Sequence, residues 1–189
     1  FRRVLFRSYN FKQLMKYISM ANAQIGLHTS YAAGVDGNII KQEFYTLQKS
    51  ISTTGRELST INRYHWLRAS TIDNMQLLAS AGITDDYSIG FADRAGFRLC
   101  TTRPVRWINP KTLQVTSLTL HPLTIMDCTL SNSNYMNLAE EEAWYLCQQL
   151  IDKVRQCNGE LTLLWHNHVL TPMSYHRNLY SSILSYLRQ

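Results

Sequence analysis

Long apolar runs are missing from this chain of 189 residues. Nothing in it approaches the roughly 20 consecutive apolar residues that a membrane helix needs, so a helical span within the segment is excluded. CxxC spacing is missing too. The four cysteines, Cys100, Cys128, Cys147 and Cys157, stand apart. That argues against cysteine-ligated zinc and for reduced, packed thiols, with Cys147 and Cys157 in or beside a helix. There is no short internal repeat, no low-complexity tract, and no basic block interleaved with aromatics of the kind nucleic-acid binders carry. What is present is ordinary for one globular domain with a real core: 45% hydrophobic and 17% charged residues.

The formal charge of +6 is inflated by the N-terminus. Arg2 to Ser8, in Phe1-Arg2-Arg3-Val4-Leu5-Phe6-Arg7-Ser8, is what a widely used short-read sequencing adapter encodes when translated in one frame. The expectation is that residues 1–8 are an artefact and that one domain occupies residues 9–189 of a frame cut near Tyr9. Such scars stay out of fold reasoning. Without Arg2, Arg3 and Arg7 there are 16 basic residues against 13 acidic. With the start in doubt, no signal peptide can be looked for and localisation is not readable, whether cytoplasm or cell envelope.

Along the chain, strand and helix signals alternate. Leu14, Tyr17, Ile18 and Ala21 have helical spacing between Phe11 and about Ala23. Ile25-Gly26-Leu27-His28 reads as a short buried strand, followed by Thr29-Ser30-Tyr31 and a turn at Gly34, Asp36 and Gly37. Ile39, Ile40, Phe44, Leu47 and Ile51 line a second helix that Gly55 terminates. Leu58-Ser59-Thr60-Ile61 is a strand candidate ending in Asn62-Arg63-Tyr64-His65-Trp66. Ser70 or Thr71 caps a third helix with Asp73 in its first turn and Gly82 at its end. Asp86 to Phe91 is a strand leading into the loop Ala92 to Arg98, and Pro104 and Pro110 bracket an irregular segment holding Val105 and Trp107. Leu118 to Ile125 is a strand region that Pro122 marks as an edge or a bulge, ending at Met126-Asp127-Cys128. A long helix runs from about Leu138 to Cys157, and Leu161-Thr162-Leu163-Leu164 is a strand tipped with Trp165-His166-Asn167-His168. An amphipathic helix over Tyr175 to Leu187 closes the chain. The alternation predicts βα units and a mainly parallel sheet or barrel.

Residues just past the strands are the chemically interesting ones. In parallel α/β folds the C-terminal strand ends face the ligand. They are His28, Arg63 with His65, Asp93 with Arg98, Asp127, and His166 with Asn167 and His168, the types that bind metal, orient carboxylates and move protons. Each also has a bland reading. His28 is then a hydrogen-bonded strand-end histidine, and His65 packs between Tyr64 and Trp66. Asp93 and Arg98 form a loop ion pair, Asp127 caps a turn, His121 and His176 are structural, and His168 is a solvated neighbour.

Five segments in order carry a resemblance: Ile25-Gly26-Leu27-His28-Thr29-Ser30-Tyr31; Asn62-Arg63-Tyr64-His65-Trp66-Leu67-Arg68; Asp86 to Ala92; Gly96-Phe97-Arg98 with Thr101 to Pro104; and Leu163-Leu164-Trp165-His166-Asn167. Together they resemble the polysaccharide deacetylase family, metal-dependent carbohydrate esterases related to chitooligosaccharide deacetylase, and most of all a divergent bacterial branch. The resemblance implies a distorted (β/α) barrel with fewer than eight strands, incomplete here at the N-terminus. It implies hydrolysis of N-acetyl groups on an amino-sugar polysaccharide or glycan precursor. The family's divalent ion, most often zinc, is held by one aspartate and two histidines, with a second aspartate as base and a histidine as acid. Carried over, His28 is a metal ligand. The family's second histidine falls on Ala32, a departure for which His65 is the candidate replacement. Arg63 orients the catalytic carboxylate, His166 is the general acid, and Asp127 positions it. Tyr31, Trp66, Arg98 and Trp165 are the substrate-binding candidates. The paired aspartates have no counterpart here and are expected upstream of Tyr9, which would leave this segment alone inactive. The implied partner is a carbohydrate, with no nucleic acid and no membrane span in the segment. The alternative is a non-catalytic carbohydrate-binding relative of the same fold. A two-carboxylate glycosidase fits less well, because histidines outnumber acids at the strand ends.

Overall fold

Strand and helix alternate through the computed structural model of the chain, which describes residues 9–21, 23–52, 59–69 and 71–189. The elements are α1 (Tyr9–Met20), β1 (Leu27–Thr29), α2 (Gly37–Ser52), β2 (Ile61–Tyr64), α3 (Ile72–Ser80), β3 (Asp85–Ile89), β4 (Val105–Asn109), β5 (Gln114–Pro122), β6 (Ile125–Met126), α4 (Asp127–Ser131), α5 (Glu140–Gln156), β7 (Leu163–Leu164) and α6 (Tyr175–Leu187). The strands fall into two sheets, ordered β1-β2-β3-β5-β4 and β6-β7. Strand β1 pairs with β2, β2 with β3 and β6 with β7, each in parallel. The fold is therefore mixed α/β with a mostly parallel sheet. Among the described residues no closed barrel is formed.

Contacts divide the chain into two compact units. The first runs to Asp86 and takes in Trp107–Leu118. Its sheet is set by period-two alternation: Leu27 and Thr29 are buried while His28 between them is exposed, and Asn62 and Tyr64 are the buried residues of β2. Register places His28 opposite Arg63 and Asn62 opposite Asp86. Two polar residues thus face the core together, and Asn62 Nδ2 donates to the Asp86 carboxylate at 2.8 Å. An unpaired carboxylate there would be costly. Helix α2 buries Ile40 and Ile51, and α3 buries Met75 and Leu78. Thr71 starts α3 with a reciprocal cap: its hydroxyl accepts from Asn74 N, and Thr71 N donates to Asn74 Oδ1. The Asn74 amide also donates to the Gly34 carbonyl, tying the helix start to the turn after β1.

The second unit comprises Tyr87–Arg106 and Thr119–Gln189. Its core is Ile125, Leu130, Ala143, Cys147, Ile151, Leu179 and Ile183. Ala143, Cys147 and Ile151 recur every four residues along α5, which gives that helix one buried stripe. Glu140, Glu141 and Glu142 open α5 and Lys153 and Arg155 close it, the order that the helix dipole favours. No described helix is long and apolar enough to cross a membrane.

Several expectations shift. The strand expected at Leu58–Ile61 lies at Ile61–Tyr64, so Arg63 is within β2 rather than past its end. A buried Asn–Asp pair in place of apolar residues hid the alternation. The segment between Pro104 and Pro110 is not irregular but is β4, where Trp107 and Asn109 take the buried positions. Asn109 is tolerated there because its amide donates to Gln76 Oε1. Pro122 does interrupt the strand region, but β5 is not an edge strand. The proline is the last residue of β5, which lies between β3 and β4, and the next amide, Leu123 N, donates to Ile89 O at 2.9 Å. The strand expected over Leu161–Leu164 shrinks to two residues, because its partner β6 ends where Asp127 opens α4. All four cysteines are free, but Cys157 is exposed rather than packed, as is Cys100. Gly55, Leu58, Ser70 and the segment of residues 1–8 lie outside the described residues.

Candidate functional site

In the first unit, the exposed position of β1 presents His28. Its Nδ1 lies 2.8 Å from the Arg63 carbonyl oxygen, which can only accept. The ring proton is therefore on Nδ1, and Nε2 is the acceptor in its contact with His65. That Nε2 stands 3.1 Å from His65 Nδ1, with the two rings edge to face. A metal-binding histidine typically anchors its other nitrogen in this way, on a backbone carbonyl. Two nitrogens bound at about 2.05 Å to a tetrahedral ion stand about 3.3 Å apart. The observed spacing, a hydrogen-bond distance between the two rings, is close to that value.

Beyond β2 the backbone is strained. Trp66 and Leu67 both take left-handed conformations, with φ of 58° and 51°. Such a residue costs about 1–2 kcal/mol when it is not glycine. Leu67 is buried, whereas Trp66 is 78% exposed and its ring meets the edge of His65. Tyr31 is also exposed, and the Arg68 guanidinium lies 4.0 Å from its ring centroid while Nη1 donates to Tyr31 O at 3.0 Å. Tyr31 and Trp66 are substrate-binding candidates of the sequence, whereas Arg68 carries no signal there beyond its place in a resembling segment.

In the second unit, Asp127 follows β6 and His166 follows β7, so the β6–β7 pairing, with Met126 opposite Leu164, sets them side by side. Asp127 is fully buried. Its Oδ1 accepts from Cys128 N and its Oδ2 from His166 N, both at 2.6 Å. His166 Nδ1 donates to the same carboxylate, 2.8 Å from Oδ1 and 3.1 Å from Oδ2. The ring is thereby held in one tautomer, and its side chain is 43% exposed. An imidazole so held delivers or takes a proton through Nε2.

Cys128 completes a triplet. One ligand atom each from Asp127, Cys128 and His166 lies within 4.8 Å of the other two, so the group can hold a metal ion. Burial, with Asp127 beside it, pushes the Cys128 thiol up, and at neutral pH it keeps its proton. Sequence reading passed over Cys128 because it lacked CxxC spacing, although it adjoins a singled-out aspartate.

The remaining candidates are placed as follows. Arg98 Nη1 donates to the Gly90 carbonyl at 3.1 Å. Asp93 pairs with its neighbour Arg94 at 2.8 Å and not with Arg98. Trp165 packs against the unit's core and contacts the rings of His176 and Tyr180. His168 sits with its ring 5.4 Å from that of His166. His121 is structural: it is buried, stacked on Tyr87 at 4.1 Å and 2.9 Å from the Glu160 carboxylate. His176 Nε2 lies 3.0 Å from Ser131 Oγ, and burial lowers its pKa against an opposing pull from Asp127.

No protein-family model, no curated protein and no solved structure matches this chain.

Proposed function

We propose that this chain is part of a metal-dependent hydrolase that removes N-acetyl groups from an amino-sugar polysaccharide or glycan precursor, built on the partial (β/α) barrel of the polysaccharide deacetylases. The observation that carries the reading is the Asp127–His166 pair. A buried carboxylate fixed by two backbone N–H groups orients an imidazole whose other nitrogen is left for solvent or substrate. In the proposed reaction His166 protonates the departing amine through Nε2, and Asp127 holds the ring and stabilises its charged form. His28 and His65 are the residues that would hold a divalent ion, zinc by preference. When bound, that ion supplies polarisation of the acetamide carbonyl and an acidified water. Arg63 orients a carboxylate. Trp66 and Tyr31 offer flat rings to a sugar, with Arg98 and Trp165 as further substrate contacts.

The exposure of Trp66 and Tyr31, together with Ala32 at the family's second histidine position, also favours the carbohydrate-binding relative. One experiment separates the two. Protein expressed from the whole reading frame is given zinc and N-acetylglucosamine oligomers, and acetate release is followed. Release that falls about 10²–10⁴-fold in His166→Ala with the zinc that depends on His28 retained supports the hydrolase, that being the usual worth of a general acid. Oligomer binding without release supports the binder. Loss, in His166→Ala, of the same zinc that His28→Ala loses would remove the proton-donor role.

A further inference from the structure

The triplet in the second unit carries chemistry that the His166–Asp127 pair does not use. Three different donor types meet there: a carboxylate oxygen, a sulfur and an imidazole nitrogen, all within 4.8 Å of one another. Among the described residues no other group of three His, Cys, Asp or Glu side chains comes so close. We propose that Asp127, Cys128 and His166 form a binding site for a thiophilic divalent ion of the zinc class, and that filling it silences His166 as a proton donor.

The donor set selects the ion. Sulfur with imidazole suits zinc, cadmium or cobalt and disfavours magnesium and calcium, which take all-oxygen cages. Three protein ligands leave a fourth tetrahedral position for water. With bonds of about 2.3 Å to sulfur and about 2.0–2.1 Å to nitrogen and oxygen, donor separations of about 3.3–3.6 Å are needed. The three donor atoms already lie within 4.8 Å of one another, so small side-chain rotations bring them toward that separation. The Asp127–His166 contact itself widens from 2.8 Å. Asp127 stays in place throughout, because Cys128 N and His166 N continue to hold its two oxygens.

Protons balance simply. The thiol S–H bond breaks, a sulfur–metal bond forms, and one proton passes to solvent. At His166 the Nδ1–H bond to Asp127 breaks as the Nδ1–metal bond forms, and in the neutral ring the proton is taken up at Nε2, so no net proton is lost there. With Nδ1 on the ion, the contact by which Asp127 holds the ring for proton delivery is gone.

The silencing rests on the deacetylase reading, whereas the site does not, and the test keeps them apart. Cobalt(II) is titrated into the chain with Cys100 and Cys157 changed to serine, and the near-ultraviolet sulfur-to-cobalt charge-transfer band is followed. The band is expected to saturate at about one equivalent, to vanish on zinc addition, and to be lost in Cys128→Ser and in His166→Gln. Absence of the band at saturating cobalt, or its persistence in Cys128→Ser, would overturn the site. Acetate release is then measured against zinc. An inhibitory phase of about a hundredfold at excess zinc, the lower end of a general acid's worth, is expected and should be missing from Cys128→Ser. A band without that phase in an active enzyme overturns the silencing. A band in a protein with no acetate release retires the deacetylase reading and leaves the site standing.

Discussion

Asp127 illustrates how much a single buried carboxylate can organise. It accepts two backbone N–H groups and a ring N–H while being fully buried, and a buried carboxylate left without such donors would cost more than the ~1–3 kcal/mol of a neutral unsatisfied group. Neighbouring Cys128 pays for that environment with a protonated, slow thiol. The four thiols should therefore label in a definite order with iodoacetamide near neutral pH. Cys100 and Cys157 are exposed and react first. Cys128, pushed up by burial and Asp127, follows slowly. Cys147, buried in the α5 stripe and pushed up to about 12, reacts only on unfolding. Mass spectrometry of timed digests reads the order, and early labelling of Cys147 would contradict the packing given for it. At this scale the sequence was informative about types. His28, His65, Asp127 and His166 were all visible as titratable residues past apolar segments. Their partners were not, because the Arg63 carbonyl and the His166 amide have no signature in a one-letter code.

Among the elements, helices were more legible than strands. α6 occupies Tyr175–Leu187 as its amphipathic pattern predicts, and α5 begins and ends within two residues of expectation. β2 and β4 were displaced or missed because polar residues fill their buried positions, paired sideways as Asn62–Asp86 and Asn109–Gln76. Periodicity in hydrophobicity cannot register a core position held by an amide. The start of α3 is the sharpest test of local chemistry. Thr71→Ala removes the hydroxyl that accepts from Asn74 N and should cost about 1 kcal/mol. Asn74→Ala should cost more, since it also strips the Gly34 carbonyl of its partner at a buried site. Urea denaturation at fixed pH ranks the two variants, and equal losses would show that the tie to Gly34 contributes nothing.

For the whole molecule, acid stability is the property most exposed to a few buried groups. Burial lowers the pKa of His176 below its ordinary value of about 6.5. The unfolded chain then binds more protons than the folded one as pH falls below that value. Stability contributed by keeping His176 neutral is present above about pH 6.5 and is lost as pH drops through the lowered folded pKa. Urea midpoints at pH 7.5 and pH 5.5 should therefore differ more for the natural chain than for His176→Asn, and an equal difference would assign the acid sensitivity to other groups. The parallel arrangement of β1, β2 and β3 and of β6 with β7 followed from the alternation of strand and helix. The division into two compact units did not, because no linker composition marks Asp86 or Leu118.

The left-handed pair Trp66–Leu67 sets two selective pressures against each other. Glycine at 66 would relax the backbone there, so selection for heat resistance alone favours losing the tryptophan. Selection for grip on a sugar favours keeping it. Whether a lineage retains an indole in that uncomfortable backbone is thus a record of which pressure has prevailed.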